Sequence, residues 1–433
     1  MPATTSPWRT LTTALPLAAA LLAGCRTTSR LTPSPPTAIL DATPTGIEIP
    51  SHANLRESNR PSEWLVLGIA ENTGEQDLQN PRVLIVLRDE AGNEIARRTA
   101  PLPADRLAAG AAWPYREPFR PSPAPSSVEA YLMGDPIPPE GTPLLKAEPV
   151  RVFIDDHGLP TALGRLTNLT NESVIIEALR LVGSDSSGDL STVVDAEPAL
   201  VALHPDAPVP FLAGLPVNGA DLDWEAYALA HAGAMPRSGA EILDIEYHDD
   251  DQGNPFVTAA LHNTSPVPLW IRLTGLMIGD EAWLAGVAAE LPIPLSPGEL
   301  VRFTLRGPGA NSAPSSSDTS ESPTMAWQLF AETEAAERSP MPVALEVIGY
   351  EPVGSTLFLR VRLSAPVSAA IERPTAFATI NGPDGSLLSA GWSSGPILLG
   401  AGQDAVVTVP IPLPADLDLT EVQFDVRAAG LAP

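Results

Sequence analysis

A repeat of 92 to 104 residues runs through this chain and constrains its fold more than any other feature. One marker is a closing strand, found as Val128-Glu129-Ala130-Tyr131-Leu132, Trp224-Glu225-Ala226-Tyr227-Ala228, Trp327-Gln328-Leu329-Phe330-Ala331 and Val422-Gln423-Phe424-Asp425-Val426. These copies start 96, 103 and 95 residues apart. A second marker is a Leu-x-x-Gly-like turn at Leu107 to Gly110, Leu203 to Asp206, Leu295 to Gly298 and Leu399 to Gly402. A third is an alternating strand that ends in Asn72, Asn168 and Asn263, with Ser364 at roughly that place in the fourth copy. Three markers in one order at one period define four structural copies.

Within a copy the pattern is that of strands. Leu65-Val66-Leu67-Gly68-Ile69-Ala70, Val83-Leu84-Ile85-Val86-Leu87, Phe358-Leu359-Arg360-Val361-Arg362-Leu363 and Val406-Val407-Thr408-Val409 are short β-rich runs bounded by turn residues. Asp89 to Asn93, Asp155 to Gly158, Asp250 to Gly253 and Gly382 to Gly385 supply turns between them. Helical periodicity is scarce, and 49 prolines fit loops and edge strands far better than helix interiors. The expected fold is all-β, a tandem array of about four immunoglobulin-like antiparallel β-sandwiches. Their expected limits are 45–135, 146–233, 240–335 and 342–431, each long enough to bury its own core. Pro- and Gly-rich junctions separate them at Gly134 to Gly141 and Ser339 to Pro342. A Ser-rich insertion, 307–323, lengthens the third copy and reads as a tolerated disordered loop between its last two strands.

Ahead of the repeats lies a different kind of segment. Met1 to Gly24 carries one charge, Arg9, followed by an uncharged Leu- and Ala-rich run too short to span a membrane comfortably. It ends in Leu22-Ala23-Gly24-Cys25, and Cys25 is the only cysteine of the chain. This arrangement resembles the lipobox of bacterial lipoproteins. The resemblance implies a signal peptide over 1–24, cleavage before Cys25, and acylation of Cys25 with several chains, enough for stable anchoring. The protein would then sit on the cell membrane or the outer membrane, facing the extracytoplasmic side. Arg26 stands where aspartate would direct retention at the inner membrane in some Gram-negative bacteria. With Cys25 acylated, no thiol remains for a disulfide, a metal or nucleophilic catalysis. From Arg26 to about Pro61 the chain is mostly Thr, Ser, Pro and charged residues, a composition that suits a tether (25–44). Ile47-Glu48-Ile49 can already open the first sandwich.

The first copy also resembles a known module. Gly68-Ile69-Ala70-Glu71-Asn72-Thr73, Val83 to Leu87, Leu87 to Gly92, and Leu107-Ala108-Ala109-Gly110 through Phe119 are similar to the FxLYD-type β-sandwich of bacterial surface and envelope proteins. The namesake tripeptide stands here as Leu87-Arg88-Asp89, without its aromatic, and the later copies match in outline only. That resemblance implies a fold and transfers no catalytic residue.

Charge narrows the partners. The net charge is -27, and loss of Arg9 with the signal makes it -28; lysine occurs once, as Lys146. Such a surface repels nucleic acid and anionic headgroups and can collect cations. The densest acidic run, His248-Asp249-Asp250-Asp251-Gln252-Gly253-Asn254, reads first as a solvated Asp-Gly hairpin turn. Its second reading is a fragment of a calcium loop with Asp249 and Asp251 as ligands, although no acid follows between Val257 and Leu261.

His52, His157, His204, His231, His248 and His262 show no zinc spacing, and no catalytic signature or phosphate-binding loop occurs, so no cofactor is expected. Asp221, Asp223 and Glu225 cluster as in a glycosidase, yet the alternation from Trp224 to Leu229 places them at the start of a strand. Trp270, Trp283 and Trp392 fit core packing ahead of a sugar-binding face. The function these features favour is a non-enzymatic, lipid-anchored scaffold, spacer or protein-interaction module, whose partners are other envelope proteins. The alternative is a solute- or glycan-binding lipoprotein serving a transporter or polysaccharide system.

Overall fold

The computed structural model describes residues 47–58, 60–139, 145–155, 157–205, 208–234, 239–279, 282–307 and 325–433. Cys25, the signal segment, the 25–44 tether, Asp156 and all but the first residue of the Ser-rich insertion lie outside them. Thr45–Pro433 forms one compact unit. The described part is built from antiparallel strands, with a single 3-10 turn at Gly219–Asp221.

Strand pairing runs within four successive segments, each a sandwich of two sheets. In the first, Ile47–Glu57, Trp64–Glu71 and Ala112–Phe119 oppose Glu94–Pro101, Asp77–Arg88 and Ser127–Ile137. In the second, Leu145–Ile154, Pro160–Asn168 and Pro208–Gly214 oppose Leu190–Asp195, Val174–Ser184 and Asp223–Ala232. The third sets Ala240–Asp249, Pro255–Asn263 and Leu300–Arg306 against Ala282–Glu290, Leu269–Gly279 and Met325–Ala335. The fourth sets Ala344–Val353, Thr356–Ser364 and Asp404–Pro412 against Leu387–Ser394, Ile371–Asn381 and Gln423–Leu431. Ile47–Glu57 pairs first with the closing strand, Ile47 opposite Gly134, and then changes sheets so that His52 lies opposite Ile69. The fourth sandwich repeats this with Pro340–Pro342, which pairs with Leu431 to Ala429 before Ala344–Val353 takes up the other sheet. Its folded part therefore begins inside the proline-rich stretch expected to be a linker. Ile47–Glu57, which includes the candidate opening strand Ile47-Glu48-Ile49, is a strand of the first sandwich although it lies within the polar stretch that runs to about Pro61.

The period of two shows plainly in Thr356–Ser364, where Leu357, Leu359, Val361 and Leu363 are all fully buried and their neighbours are not. Facing side chains of both sheets then make each core, for example Val343, Ile371, Ile380, Leu399 and Val409 in the fourth. Two cores contain a close glycine–aromatic pairing at the same period. Gly68 lies opposite Tyr115, and Gly164 lies opposite Phe211. A Cβ on Gly164 would come within 1.9 Å of the Phe211 ring, and one on Gly68 within 2.3 Å of Tyr115. The aromatic thus covers backbone that only glycine leaves open.

The Asn marker earns its burial. Asn72, Asn168 and Asn263 are fully buried at the end of the second strand of their copies. Each side-chain amide donates to the carbonyl four residues on (Gln76 2.8 Å, Glu172 2.7 Å, Val267 2.9 Å) and to that of the Leu opening the Leu-x-x-Gly turn (Leu107 3.1 Å, Leu203 3.2 Å, Leu295 2.7 Å). Each side-chain oxygen accepts the N–H two residues on. In the fourth copy the pairing puts Ala365, not Ser364, at this position. The Ala365 N–H donates to Gln403 as that of Asn263 does to Glu299. No amide can tie the loop there, and a different turn through Pro366 takes over, its carbonyl accepting the Gly402 N–H.

Candidate functional site

The Asp-rich turns share one construction. Asp89, Asp155, Asp185 and Asp250 each open a hairpin whose fourth residue is Gly92, Gly158, Gly188 or Gly253, all with φ between 74 and 85°. The Asp carbonyl accepts the glycine N–H at 2.8–3.0 Å, and its carboxylate accepts the N–H of the residue after the glycine at 2.8–3.1 Å. This is a turn closed by a left-handed residue, the three-residue hairpin geometry that needs glycine.

In the third sandwich the same turn has acquired a second task. The Asp250 carboxylate is buried and accepts N–H groups from Gln252 (2.8 Å) and Asn254 (2.9 Å) and the Asn254 side-chain amide (2.9 Å). Arg306 closes the ring with an ion pair to Asp250 and donates onward to Ser355 of the fourth sandwich at 2.8 Å. Burial alone would raise the Asp250 pKa. The Asn254 and Gln252 hydrogen bonds and the Arg306 charge outweigh it and hold the carboxyl below its ordinary value. The hydrogen-bond and ion-pair partners of this carboxylate are all donors, whereas a calcium ion needs six or more oxygens converging on it. Asp249 and Asp251 flank it on the exposed side. The Asp249 carbonyl accepts the Ala415 N–H at 2.9 Å, and the Asp251 carboxylate accepts the Asp416 N–H at 3.3 Å. The geometry favours the hairpin reading, extended: the turn is part of the joint between the third and fourth sandwiches. Among the described residues, no group of three His, Cys, Asp or Glu side chains could hold a metal ion.

The other two joints follow a common plan. Between the first and second sandwiches, Leu67 packs with Val182, Leu190 and Val193, and Leu229 enters the first core. Arg180 lies over the Trp113 ring at 5.2 Å and donates to the Pro114 carbonyl at 2.9 Å. Between the second and third, Phe153 and Leu163 join the third core. Arg165 lies over Trp283 at 5.9 Å, Arg272 donates to the Pro198 carbonyl at 2.7 Å, and the Val201 N–H donates to Glu332 at 2.8 Å. Between the third and fourth, Phe377 and Trp392 reach into the third core, Arg373 lies over Trp270 at 5.6 Å, and Arg427 pairs with Glu299. An arginine above a tryptophan of the neighbouring sandwich recurs at all three joints, adding a cation–π contact to the apolar packing.

Trp270, Trp283 and Trp392 are therefore joint residues, and Trp283 and Trp392 also pack against the third core. The histidines remain dispersed; His231 pairs with Glu177 at 3.0 Å and His248 stacks on Phe256 at 5.1 Å. Asp221, Asp223 and Glu225 lie exposed on the 3-10 turn and the start of Asp223–Ala232, and Glu225 accepts the Tyr227 hydroxyl at 2.7 Å. A cleft of about 1030 Å³ opens between the first two sandwiches, bounded by Ala108, Ala112, Leu145, Glu172 and the run Ala226 to Ala232.

No family model matches this chain, and no curated protein matches it. Two solved structures of E. coli alpha-2-macroglobulin, the native conformation and the form activated by porcine elastase, align over 89% of the chain at 9% and 12% identity. The chain covers 27% and 44% of those proteins, and both TM-scores are 0.12, so the alignments carry no argument here. What the strands and sheets establish is the class: a tandem array of antiparallel, immunoglobulin-like β-sandwiches.

Proposed function

We propose that this chain is a non-enzymatic, lipid-anchored extracytoplasmic scaffold, whose sandwiches hold an interaction surface away from the membrane. The observation that carries the scaffold reading is the repeated joint: Trp113, Trp283 and Trp270 each lie under an arginine of the adjoining sandwich, beside shared apolar packing. Asp250, in the middle of the densest acidic run, is engaged by Asn254 and Arg306 and serves a joint. The lipid anchor rests on Leu22-Ala23-Gly24-Cys25. In the alternative, a glycan-binding lipoprotein, Trp270 and Trp283 would present free ring faces, and both carry a guanidinium instead.

Labelled palmitate fed to producing cells tests the anchor. We expect label on the wild-type chain and none on Cys25→Ser, which moves to the soluble fraction; equal labelling of both would refute acylation at Cys25. A thermal-shift screen of the chain with calcium and a glycan panel tests the scaffold reading, since any ligand of the native state must raise the melting temperature. The expected result is no shift, and a sugar-dependent rise would replace the scaffold with the solute-binding reading.

A further inference from the structure

The three joints repeat one arrangement. In each, the sheet holding the second strand of one sandwich, its opening sheet, meets the sheet holding the closing strand of the next. Arg56 of the first sandwich donates to the Ser191 carbonyl at 2.9 Å, beside the packing of Leu67 on Val182 and Val193. Leu212 of the second lies against Gly286 of the third, where a Cβ would come within 2.9 Å of it. Thr304 of the third accepts the Ala390 N–H at 2.8 Å, and Arg302 donates to Asn381 at 2.7 Å. The sandwiches thus stack sheet on sheet. Among the described residues, that order leaves two sheets without a neighbouring sandwich, the closing sheet of the first and the opening sheet of the fourth.

Both end faces carry joint residues in the register of the repeat. On the closing sheet of the first sandwich, Leu84, Val86, Tyr131 and Met133 point away from the core that Val83, Ile85, Ala130 and Leu132 help to form. They precede Arg180, Val182, Tyr227 and Leu229 of the second by 96 residues each. Leu84 lies opposite Tyr131 as Arg180 lies opposite Tyr227. Those four residues of the second sandwich make its joint with the first: Arg180 lies over Trp113, Val182 and Tyr227 pack with Leu67, and Leu229 enters the first core. On the opening sheet of the fourth, Glu346 and Arg362 form an ion pair in the cross-strand register of Glu148 and Arg165, whose guanidinium lies over Trp283 of the next sandwich. Pro255–Asn263, which the fourth sandwich covers, is buried at all but one position. Thr356–Ser364 is buried only at alternate residues, and Val406 opposite Arg362 is 52% exposed. Trp283 also has a counterpart on the first sandwich. It lies opposite Ile278 just past a bulge, and Glu94 lies opposite Arg88 at the same step. Where Arg165 meets an indole, Arg362 would meet a carboxylate.

We infer that copies of this chain associate head to tail, the opening sheet of the fourth sandwich docking on the closing sheet of the first sandwich of the next copy, with Arg362 set against Glu94. Such a contact is heterologous and leaves each assembly a free face at both ends, so association grows past the dimer. Three strands of about eight residues make a face of about 14 by 26 Å, small for a specific interface, and the assembly is therefore reversible. The inference rests on the interaction-module reading and is independent of acylation at Cys25. A sugar-dependent thermal shift would end that reading and leave the sedimentation result below untouched.

Sedimentation velocity tests this on the full chain carrying Cys25→Ser, at concentrations raised a hundredfold from about 1 μM so that mass action drives assembly. Salt at about 0.15 M screens the net charge of -27 beyond about 8 Å. The weight-average sedimentation coefficient is expected to climb past that of a dimer. Arg362→Glu and Glu94→Arg should each weaken association about tenfold through like charge at the contact, and the double variant should recover it. Their side chains are 43% and 38% exposed, so neither change reaches a core. Val406→Asp, which keeps the Glu346–Arg362 pair, should also stop growth. A coefficient constant with concentration, growth that ends at the dimer, a double variant no better than the single ones, or unchanged assembly of Val406→Asp would each overturn the inference.

Discussion

Asn72, Asn168 and Asn263 show how a single buried amide can set a loop. Each ties down the loop that follows it through the residues two and four positions on, and its amide makes one further bond to the Leu that opens the Leu-x-x-Gly turn. Asn263→Ala would remove three hydrogen bonds: one of two donors to each of the Val267 and Leu295 carbonyls, which keep the Ser265 hydroxyl and the Leu269 N–H, and the acceptor of the Ser265 N–H. We expect a loss of about 2–3 kcal/mol from the third sandwich, read from its urea transition; a change below about 0.5 kcal/mol would mean that water replaces the amide. Asp250 works at the same scale with a pH signature. Its folded pKa lies below the unfolded value of 3.8, so its contribution is present above that pH and is lost as pH falls through the folded value. Between about pH 5 and 2 the chain should therefore lose urea resistance more steeply than Asp250→Asn does, and parallel curves would remove Asp250 from the account. Much of this was legible. The Asn spacing and the Asp-Gly turns are visible as residues, but Asp249 and Asp251 drew the attention as carboxylates. Alignment of Asp155-x-x-Gly158 with Asp250-x-x-Gly253 would have singled out the middle acid, because the first Asp of the turn is the one that caps it.

At the scale of strands, alternation specified nearly everything that a sandwich needs. Leu357, Leu359, Val361 and Leu363 could be placed inward from sequence, and the structure buries them. The glycine–aromatic pairs were overlooked, although Gly68 to Gly164 and Tyr115 to Phe211 are both separated by 96 residues, the main repeat. Gly164→Ala is expected to displace the Phe211 ring and cost about 1–3 kcal/mol in the second sandwich, with Phe211→Leu relieving part of that cost in the double variant. Strictly additive losses would show that the two residues do not share one space. The switch of the opening strand between sheets was not legible either, since Ile47–Glu57 keeps an extended pattern across the point where its partner changes.

For the whole molecule, periodicity reports how many sandwiches there are and is silent on how they meet. The arginine over each joint tryptophan comes from a different place in its copy: Arg180 and Arg165 from the second, Arg373 from the fourth. No shared spacing could have revealed them. The second joint also holds a carboxyl in an unfavourable setting. Burial raises the Glu332 pKa, opposed by the Val201 N–H and the Arg272 charge, while Glu197 faces Arg272 at 4.0 Å. A raised acid contributes most below its unfolded value of 4.5 and loses that contribution as pH rises through the folded value. Glu332→Gln should accordingly raise the melting temperature at pH 7, with the gain gone by about pH 4; a gain that is constant with pH would assign the effect to packing. One further consequence follows from the covered edges of the outer sandwiches. Ile47 lies opposite Gly134 and Pro340 opposite Leu431, both antiparallel. Tension on the two ends of either sandwich thus acts at the same end of a strand pair. Its hydrogen bonds would open in succession, as a zip does, so under load the first and fourth sandwiches should peel at low force and act as extensible slack.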